Sequence, residues 1–498
     1  MLLCSLFSKL SNNRKIWYTA RERWKGRYKF FFHFFHLVPI YPMKKIISIL
    51  FLFFFFSTLG FGCKGLSTQE QQAIRPVTLN YWTVYDDYPT LKKFATDYNA
   101  LRSYVTVNVR QIRYDELHER LLNALADDVA PDIVSIPVNL LPQYQKWLSA
   151  MPSSVQVANV YVKGQYSPET VVEQLTQSMP TIQEIKNSYV GTVYNDVVIG
   201  GKVYGLPLSL DTLALYYNKD LLDLAGVPSP PTTWDEFLDA VKKTTRYDSS
   251  GNIVQSGVAM GTSTNVRNSQ DIFAMLLMQN KVDVVKNGVV HFADNMEKAD
   301  ETHPTFQALR FYTDFANPLK EVYSWNATMD DSLDAFLREK SVFYFGFARD
   351  FAQIGSRAKR LNIEILPVPQ LNPSVPANVA SYWVESVTDK SKKKNVAWDF
   401  IRFMAKEKGV REYVTATKLP SPLRAHIKLF ETDPVMEPFE SQVLFAKSWY
   451  QGKDIETANK AIGNLIDTYR TPVQEGEVGI TRDRKITSYA ARIVQQTL

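Results

Sequence analysis

Residues 201–245 read GKVYGLPLSLDTLALYYNKDLLDLAGVPSPPTTWDEFLDAVKKTT, a strand-like run, a short capped helix, a proline turn and a second capped helix. Val203 to Leu215 is apolar and compatible with a strand, broken only by Pro207, Ser209, Asp211 and Thr212. Asn218 is placed to cap a helix from Lys219 to Ala225, which Gly226 stops with Pro228 two residues on. Pro230 and Pro231 stiffen the turn that follows. Thr233 and Glu236 then have the spacing of a capping box, in which each side chain satisfies a backbone N–H at the helix start. The helix so begun puts Trp234, Phe237, Leu238 and Val241 on one face, which assigns Trp234 to core packing.

Four pieces of this stretch, VYGLPLSLDT, LYYNKDLL, AGV and PPTTWDEFLDAV, stand in order and in register. Together they resemble the signature of family 1 extracellular solute-binding proteins, the maltose-binding-protein-like receptors of ABC importers for sugars and related solutes. The resemblance runs more thinly from Val77 to Tyr469. It includes an acidic helix from Asp330 to Glu339 ending in Val342–Gly346, the segment SKKKNVAWDFIRFMA from Ser391, and the turn Leu419–Arg424. It implies an α/β chain with two discontinuous lobes and a hinged cleft, residues 76–207 with 380–430 forming one lobe and 208–379 with 431–498 the other. It also implies a monomeric extracytoplasmic receptor that closes on a solute, for which a sugar is the expectation, and hands it to permease subunits, with no cofactor, no metal and no catalytic residue.

The bulk properties agree with that expectation. At 498 residues the chain exceeds one ordinary core, and 45% hydrophobic with 22% charged residues is a globular composition. The net charge of +6 is concentrated at the start: ten Lys/Arg and a single acid precede Cys63. From Cys63 onward 47 basic residues face 50 acidic ones, which removes the electrostatic footprint of a nucleic-acid binder. Cys4 and Cys63 are the two cysteines, so no disulfide framework or thiolate metal site is available beyond residue 63. The six histidines are scattered, apart from His33 and His36 in an aromatic leader run.

Met43-Lys44-Lys45 followed by the apolar run Ile46–Phe56 has the form of a signal peptide, assigned here to residues 43–62. Gly62-Cys63 resembles a lipobox with Cys63 as the lipidated residue, although Gly60 stands where the pattern usually has Leu. An uncleaved anchor is the alternative. Residues 1–42, basic and aromatic, precede this complete leader and are expected to be an upstream extension to a true start at Met43. Residues 63–75 read as a lipidated, Gln-rich tether to the membrane.

From Val77 strand-like and helix-like segments alternate as far as Ile136, the pattern of a mainly parallel sheet. No GxGxxG or GxxxxGK[ST] follows the first strand, which excludes the phosphate-cradling loops of nucleotide binders. Leu140–Ile199 reads as loop- and helix-rich. Leu371–Ala377 reads as a hinge or connector, Ser381–Val387 as one strand, and Phe439–Leu498 as helices. Lys392–Lys394 read as a solvated helix start.

Catalytic signatures are missing. Gly261-Thr262-Ser263-Thr264-Asn265 lacks the last glycine of a nucleophile elbow, His118-Glu119 lacks a second histidine, and Asp330 and Asp331 are adjacent on a helix and diverge. Binding chemistry is better represented. Sugars present hydroxyls to polar groups and C–H faces to aromatic rings. A buried Asp needs partners, and Asp211 with Ser209 interrupts an apolar run where the resemblance puts a lobe crossover. Trp82 and Asp87 follow the first strand, where open α/β sheets bind ligands. Trp325 precedes the acidic helix, and the loop residues Asn265 and Arg267 are weaker candidates. The resemblance further implies ligand contacts at Phe347, at Tyr382 and Trp383 (one of them facing the cleft, since strand neighbours alternate), at Arg424 and at Phe439. Other readings are a receptor for a polyamine or peptide, a sensory binding lipoprotein, and an extracellular glycan-active enzyme.

The leader assignment is open to a direct check. Mass spectrometry of the cellular protein is expected to recover no peptide from residues 1–42, and one such peptide would refute a start at Met43.

Overall fold

The computed structural model describes residues 66–498 apart from 85, 86, 167, 474 and 477, so the expectations for residues 1–62 and Cys63 lie outside the described residues. Two sheets organise the rest. In the first, Val77–Thr83 lies between Val105–Gln111 and Ile133–Pro137, all parallel. The later strand Trp383–Thr388 joins antiparallel to Ile133–Pro137, and Leu148–Ser149 completes the edge. Leu91, Phe94, Ala95 and Tyr98 bury one face of the helix Tyr88–Leu101, and Leu117, Leu121, Ala124 and Leu125 one face of Tyr114–Ala126. Period-2 strands alternating with helical stripes require this layered packing.

The second sheet is built on Asp211–Asn218, all eight of whose residues are buried. Ser341–Phe347 pairs antiparallel along one edge, and Ile363–Pro367 and Asn378–Ser381 share the other. Ile253–Val258 extends the sheet parallel to Ser341–Phe347, and Ala446–Lys447 extends it parallel to Asn378–Ser381. A strand covered on both faces reads as a continuous apolar run, which is why the LALYY core of the opening stretch carries no alternation.

The chain passes between the sheets three times, the first two side by side and the third over the long stretch from Thr388 to Ala446. On the way out Leu206 bridges Glu385 of the first sheet, and five residues later Asp211 pairs with Ser381 of the second. On the way back Asn378–Ser381 and Trp383–Thr388 are separated by Tyr382 alone. Gly205 is required by the close approach there: a Cβ would stand 2.7 Å from the Ser386 hydroxyl and 2.9 Å from Val384.

Several elements depart from the sequence reading. The strand expected over Val203–Leu215 starts only at Asp211, because Pro207 has no N–H to donate and the chain is changing sheets there. Ser381–Val387, expected as one strand, breaks at Tyr382 for the same reason. Leu140–Ile199 holds a long hairpin, Ser154–Lys163 with Glu169–Ser178, in which Val155 and Val157 point to one face and Val160 and Val162, out of phase with them, to the other. Leu371–Ala377 connects two strands of the same sheet. Helices occupy Ile455–Arg470 and Gly479–Gln496, whereas residues 441–454 run mostly extended past Ala446–Lys447. Lys393 is anchored on Asp132 at 3.1 Å and on the Thr78 carbonyl, and Lys394 pairs with Asp389, so that helix start is tied down. The local signals fare better. Asn218 accepts from the Leu221 N–H at 3.1 Å, and Thr233 and Glu236 form the reciprocal capping box.

Buried carboxylates hold the two sheets' interiors. Glu385 accepts from the hydroxyls of Tyr81 (2.5 Å) and Ser135 (2.7 Å) on one oxygen, yet burial pushes its carboxyl up to about 7. Burial likewise raises Asp196 and Asp211 to about 6 and Glu440 to about 7. Raised folded-state values mean that the folded protein holds more protons than the unfolded chain between roughly pH 4 and 7, so these groups lose stability as pH rises through that window. Urea midpoints are expected to fall from about pH 5 to about pH 8. Glu385→Gln, which keeps one oxygen for both hydroxyls, is expected to flatten the upper part of that slope, and an unchanged slope would contradict the assignment.

Candidate functional site

The carboxyl ends of the first and third strands open onto a cavity of about 320 Å³ between the two sheet systems. Val84, Pro137 and Asn139 reach it from the first, together with Tyr114 at the head of its helix. Gln270, Asp271, Arg349, Trp449 and Asn459 reach it from the second, and Ala380–Trp383 of the crossover form its base. Such a position, outside strand ends at a change of connectivity, is where α/β sheets present ligands.

Ring faces and polar groups alternate around the cavity. Trp383 stands edge-on to Tyr114, with ring centres 6.0 Å apart, and Trp449 lies 5.7 Å from Tyr450. The Trp449 indole N–H donates to Asp271 at 2.7 Å, and burial raises the Asp271 carboxyl above the ordinary aspartate value. Arg349 donates to the Ser381 hydroxyl at 3.0 Å, and its guanidinium lies 4.0 Å above the Phe347 ring. Among the described residues of the lining, Asp271 and Arg349 are the charged ones, of opposite sign. Asn139 on one side and Asn459 on the other each have an amide oxygen that is buried without a hydrogen-bond partner among the described residues.

Four of the expected residues converge on this place. Tyr382 and Trp383 both line the cavity, because Tyr382 is the break between strands and the alternation rule does not reach across it. Asp211 and Phe347 stand behind Arg349. Asp211 accepts the backbone N–H groups of Thr212 (2.9 Å), Ala348 (2.8 Å) and Arg349 (3.1 Å), which fixes the start of the helix Ala348–Arg357. Phe347 is buried beneath the guanidinium.

The other candidates lie elsewhere among the described residues. Trp82 is half-buried on the first strand, paired between Arg110 and Val134. Asp87 is buried, accepting from Thr83 (3.0 Å) and Tyr413 (2.6 Å). Ser209 is half-buried in the outgoing crossover. Trp325 is fully buried and donates to Asn265 Oδ1 at 3.1 Å, while the Asn265 amide clamps the Asn326 and Met329 carbonyls. Arg267 pairs with Asp331, whose carboxylate caps the helix Ser332–Leu337, and Asp330 pairs with Arg338. Arg424 lines a separate outer groove with Lys186 and Tyr194. Phe439 is core, 5.8 Å from the Tyr216 ring, and its carbonyl accepts from Thr212.

The sequence reading missed Tyr114, Asn139, Asp271, Arg349, Trp449 and Asn459. Trp449-Tyr450 was legible as an aromatic pair set among Ser448, Gln451 and Gly452, a composition poor for the helix expected there. Arg349 follows Phe347 by two residues. Asn139 and Asn459 carried no local signal.

A second cavity of about 520 Å³ lies behind the wall Ser448–Tyr450. There Asp196 accepts from Tyr382 (2.6 Å), Ser448 (2.6 Å) and Gln451, tying three distant segments together. Its remaining charges, Asp283 with Lys286 and Lys447, pair with one another.

A family model described as bacterial extracellular solute-binding protein matches residues 90–438. A binding protein of Brucella abortus is 45% identical over 60 residues, 12% of this chain and 15% of that protein. The melibiose/raffinose/stachyose-binding protein MelE of Bacillus subtilis is 28% identical over 237 residues, 45% of this chain and 51% of that protein, so the chain spans well under two thirds of either relative. The multiple sugar-binding protein of Streptococcus mutans is 22% identical over 414 residues, 79% of this chain and 87% of that one. The crystal structure of the cyclic α-maltosyl-1,6-maltose binding protein of Arthrobacter globiformis has the same fold, with a TM-score of 0.66 at 18% identity, covering 84% of this chain and 99% of that one. With its two-lobe periplasmic-binding fold, the chain belongs to the bacterial extracellular solute-binding protein family.

Proposed function

We propose that this protein is the extracytoplasmic receptor of an ABC importer for a carbohydrate, binding it in the 320 Å³ cavity by closure of two lobes. The observation that carries this reading is one cavity lined from opposite sides by Asn139 and Asn459, whose amide oxygens are shut off from solvent and have no hydrogen-bond partner among the described residues. A buried acceptor left unpaired is costly, and a ligand hydroxyl donating to each would satisfy it. A solute that bridges both oxygens binds the closed arrangement better than an open one and shifts the population towards it.

The balance of charge supports a neutral polyol over a cation. A polyamine site needs several convergent carboxylates, whereas among the described residues Asp271 is offset by Arg349, and Asp87 and Asp331 are engaged elsewhere. The rings of Tyr114, Trp383 and Trp449 suit the apolar faces of a sugar. Relatives described as binding melibiose, raffinose and stachyose, or multiple sugars, support the same class. In this reading the protein performs no covalent chemistry, acts as a monomer, and is held at the membrane by a lipid on Cys63.

Thermal-shift measurements on the purified protein against sugars, polyamines and short peptides test the reading. A sugar at about 100 times its dissociation constant is expected to add about 2.7 kcal/mol of stability. Asn139→Ala, Asn459→Ala and Trp383→Ala are each expected to weaken that sugar roughly tenfold, with little effect on the ligand-free melting temperature for the two asparagines. Stabilisation by polyamines or peptides alone would overturn the substrate class, and glycan turnover would overturn the receptor reading. Separately, radiolabelled fatty acid is expected to enter the wild-type protein and not Cys63→Ala.

A further inference from the structure

The helices Ile455–Arg470 and Gly479–Gln496 lie antiparallel. Arg482, near the start of the second, donates to the Tyr469 carbonyl at the end of the first, and the Lys453 N–H donates to Thr497 at the opposite end. The outer face between them is a groove of about 850 Å³ that nothing in the described chain covers. Ala461, Leu465, Ile486, Ala490 and Ile493 make its floor. It runs at least from Thr457 to Thr468, a helical rise of about 16 Å or three turns. The groove faces away from the sugar cavity, which the same helix meets through Ile455 and Asn459.

The rim has one sign of charge. Lys460 stands on one wall and Lys485 and Arg492 on the other, with no acidic residue in the lining. None of the three makes an ion pair among the described residues. Asp454, the acid that feels Lys460, is already occupied as the cap of its own helix. Arg492 lies 5.2 Å over the ring of Tyr489, itself 58% exposed, so the guanidinium is held at the edge of the groove. This basic strip belongs to a body that carries more acids than bases from Cys63 onward, so the local excess is not a reflection of overall charge.

We propose that this groove is a docking site for an amphipathic helix of a partner protein, with small apolar residues along one face and Asp or Glu along its flanks. A concave channel between two antiparallel helices matches a third rod laid along it, burying an apolar seam within a charged rim. The unpaired cations on both walls select acidic flanks and set the orientation of docking. The site is separate from the solute cavity and independent of what that cavity binds.

Fluorescence anisotropy with a labelled synthetic 14-residue peptide tests this. The peptide carries an Ala/Leu seam flanked by Glu. Its controls are the same peptide with Lys in place of Glu, and a scrambled peptide of identical composition. The Glu peptide is expected to bind the purified protein and the Lys peptide not to bind. The triple variant K460E/K485E/R492E is expected to weaken binding at least about tenfold, and raised salt to weaken it further. Asn464→Trp, an exposed position whose ring would fill the groove without changing charge, is expected to abolish binding while leaving the melting temperature unchanged. Absence of binding by the Glu peptide, equal binding of the scrambled peptide, or indifference to both variants would overturn the proposal. Binding of anionic phospholipid vesicles in place of the Glu peptide would overturn it in favour of a lipid surface.

Discussion

The carboxylate of Asp211 is buried at the point where the chain enters its second sheet, and much of the site depends on how that charge is satisfied. An unpaired carboxylate there would be untenable in a low-dielectric interior. Three backbone N–H groups converge on it, two of them from the first turn of the helix that begins at Ala348. The Arg349 guanidinium, 3.8 Å away, offsets part of the desolvation. The bond network therefore pins a helix start to the central strand, and with it Arg349, a cationic side chain of the cavity lining. Asp211 acts at the cavity through Arg349.

The crossovers make a second constraint. The first two of the three connections between the sheets run side by side and contain residues that pair with neither sheet in full, Pro207 to Leu210 outward and Tyr382 on return. Motion between the lobes is cheapest where so few backbone bonds must bend. Asp196 ties Tyr382 of this return crossover to Ser448 and Gln451, so the wall Ser448–Tyr450 separates the cavity that presents Trp449 from the one that holds the Asp196 network. A shift of that wall alters both cavities together.

Charge is distributed by task across the molecule. Among its described residues the cavity sets one carboxylate against one guanidinium, with asparagine amides and aromatic rings making up much of the rest of its lining. Lys460, Lys485 and Arg492 of the C-terminal helix pair make no ion pair among the described residues and lie outside it. Most other ion pairs are exposed and individually weak, such as Lys93 with Asp97 or Arg113 with Asp115, and contribute little to holding the fold.

The local devices of the opening stretch were legible from sequence because their physics is local. Asn218, Thr233 and Glu236 act on N–H groups within a few residues, and the apolar run after Asp211 signals a strand covered on both faces whatever covers it. Asp211 was legible as a buried charge in need of partners, but the partners lie 137 and 138 residues away, and no spacing announces them. The same holds for Asn139 and Asn459, ordinary asparagines until two sheets and a helix bring their oxygens to one cavity. Trp325 and Phe439 show the converse: aromatic rings in polar stretches whose burial depends on what packs over them. Sequence alone determined the elements and the family of folds, since backbone satisfaction and hydrophobic periodicity are short-range demands. Which side chains meet across the cleft was decided only by the tertiary structure, because that depends on the path of the crossovers joining segments hundreds of residues apart.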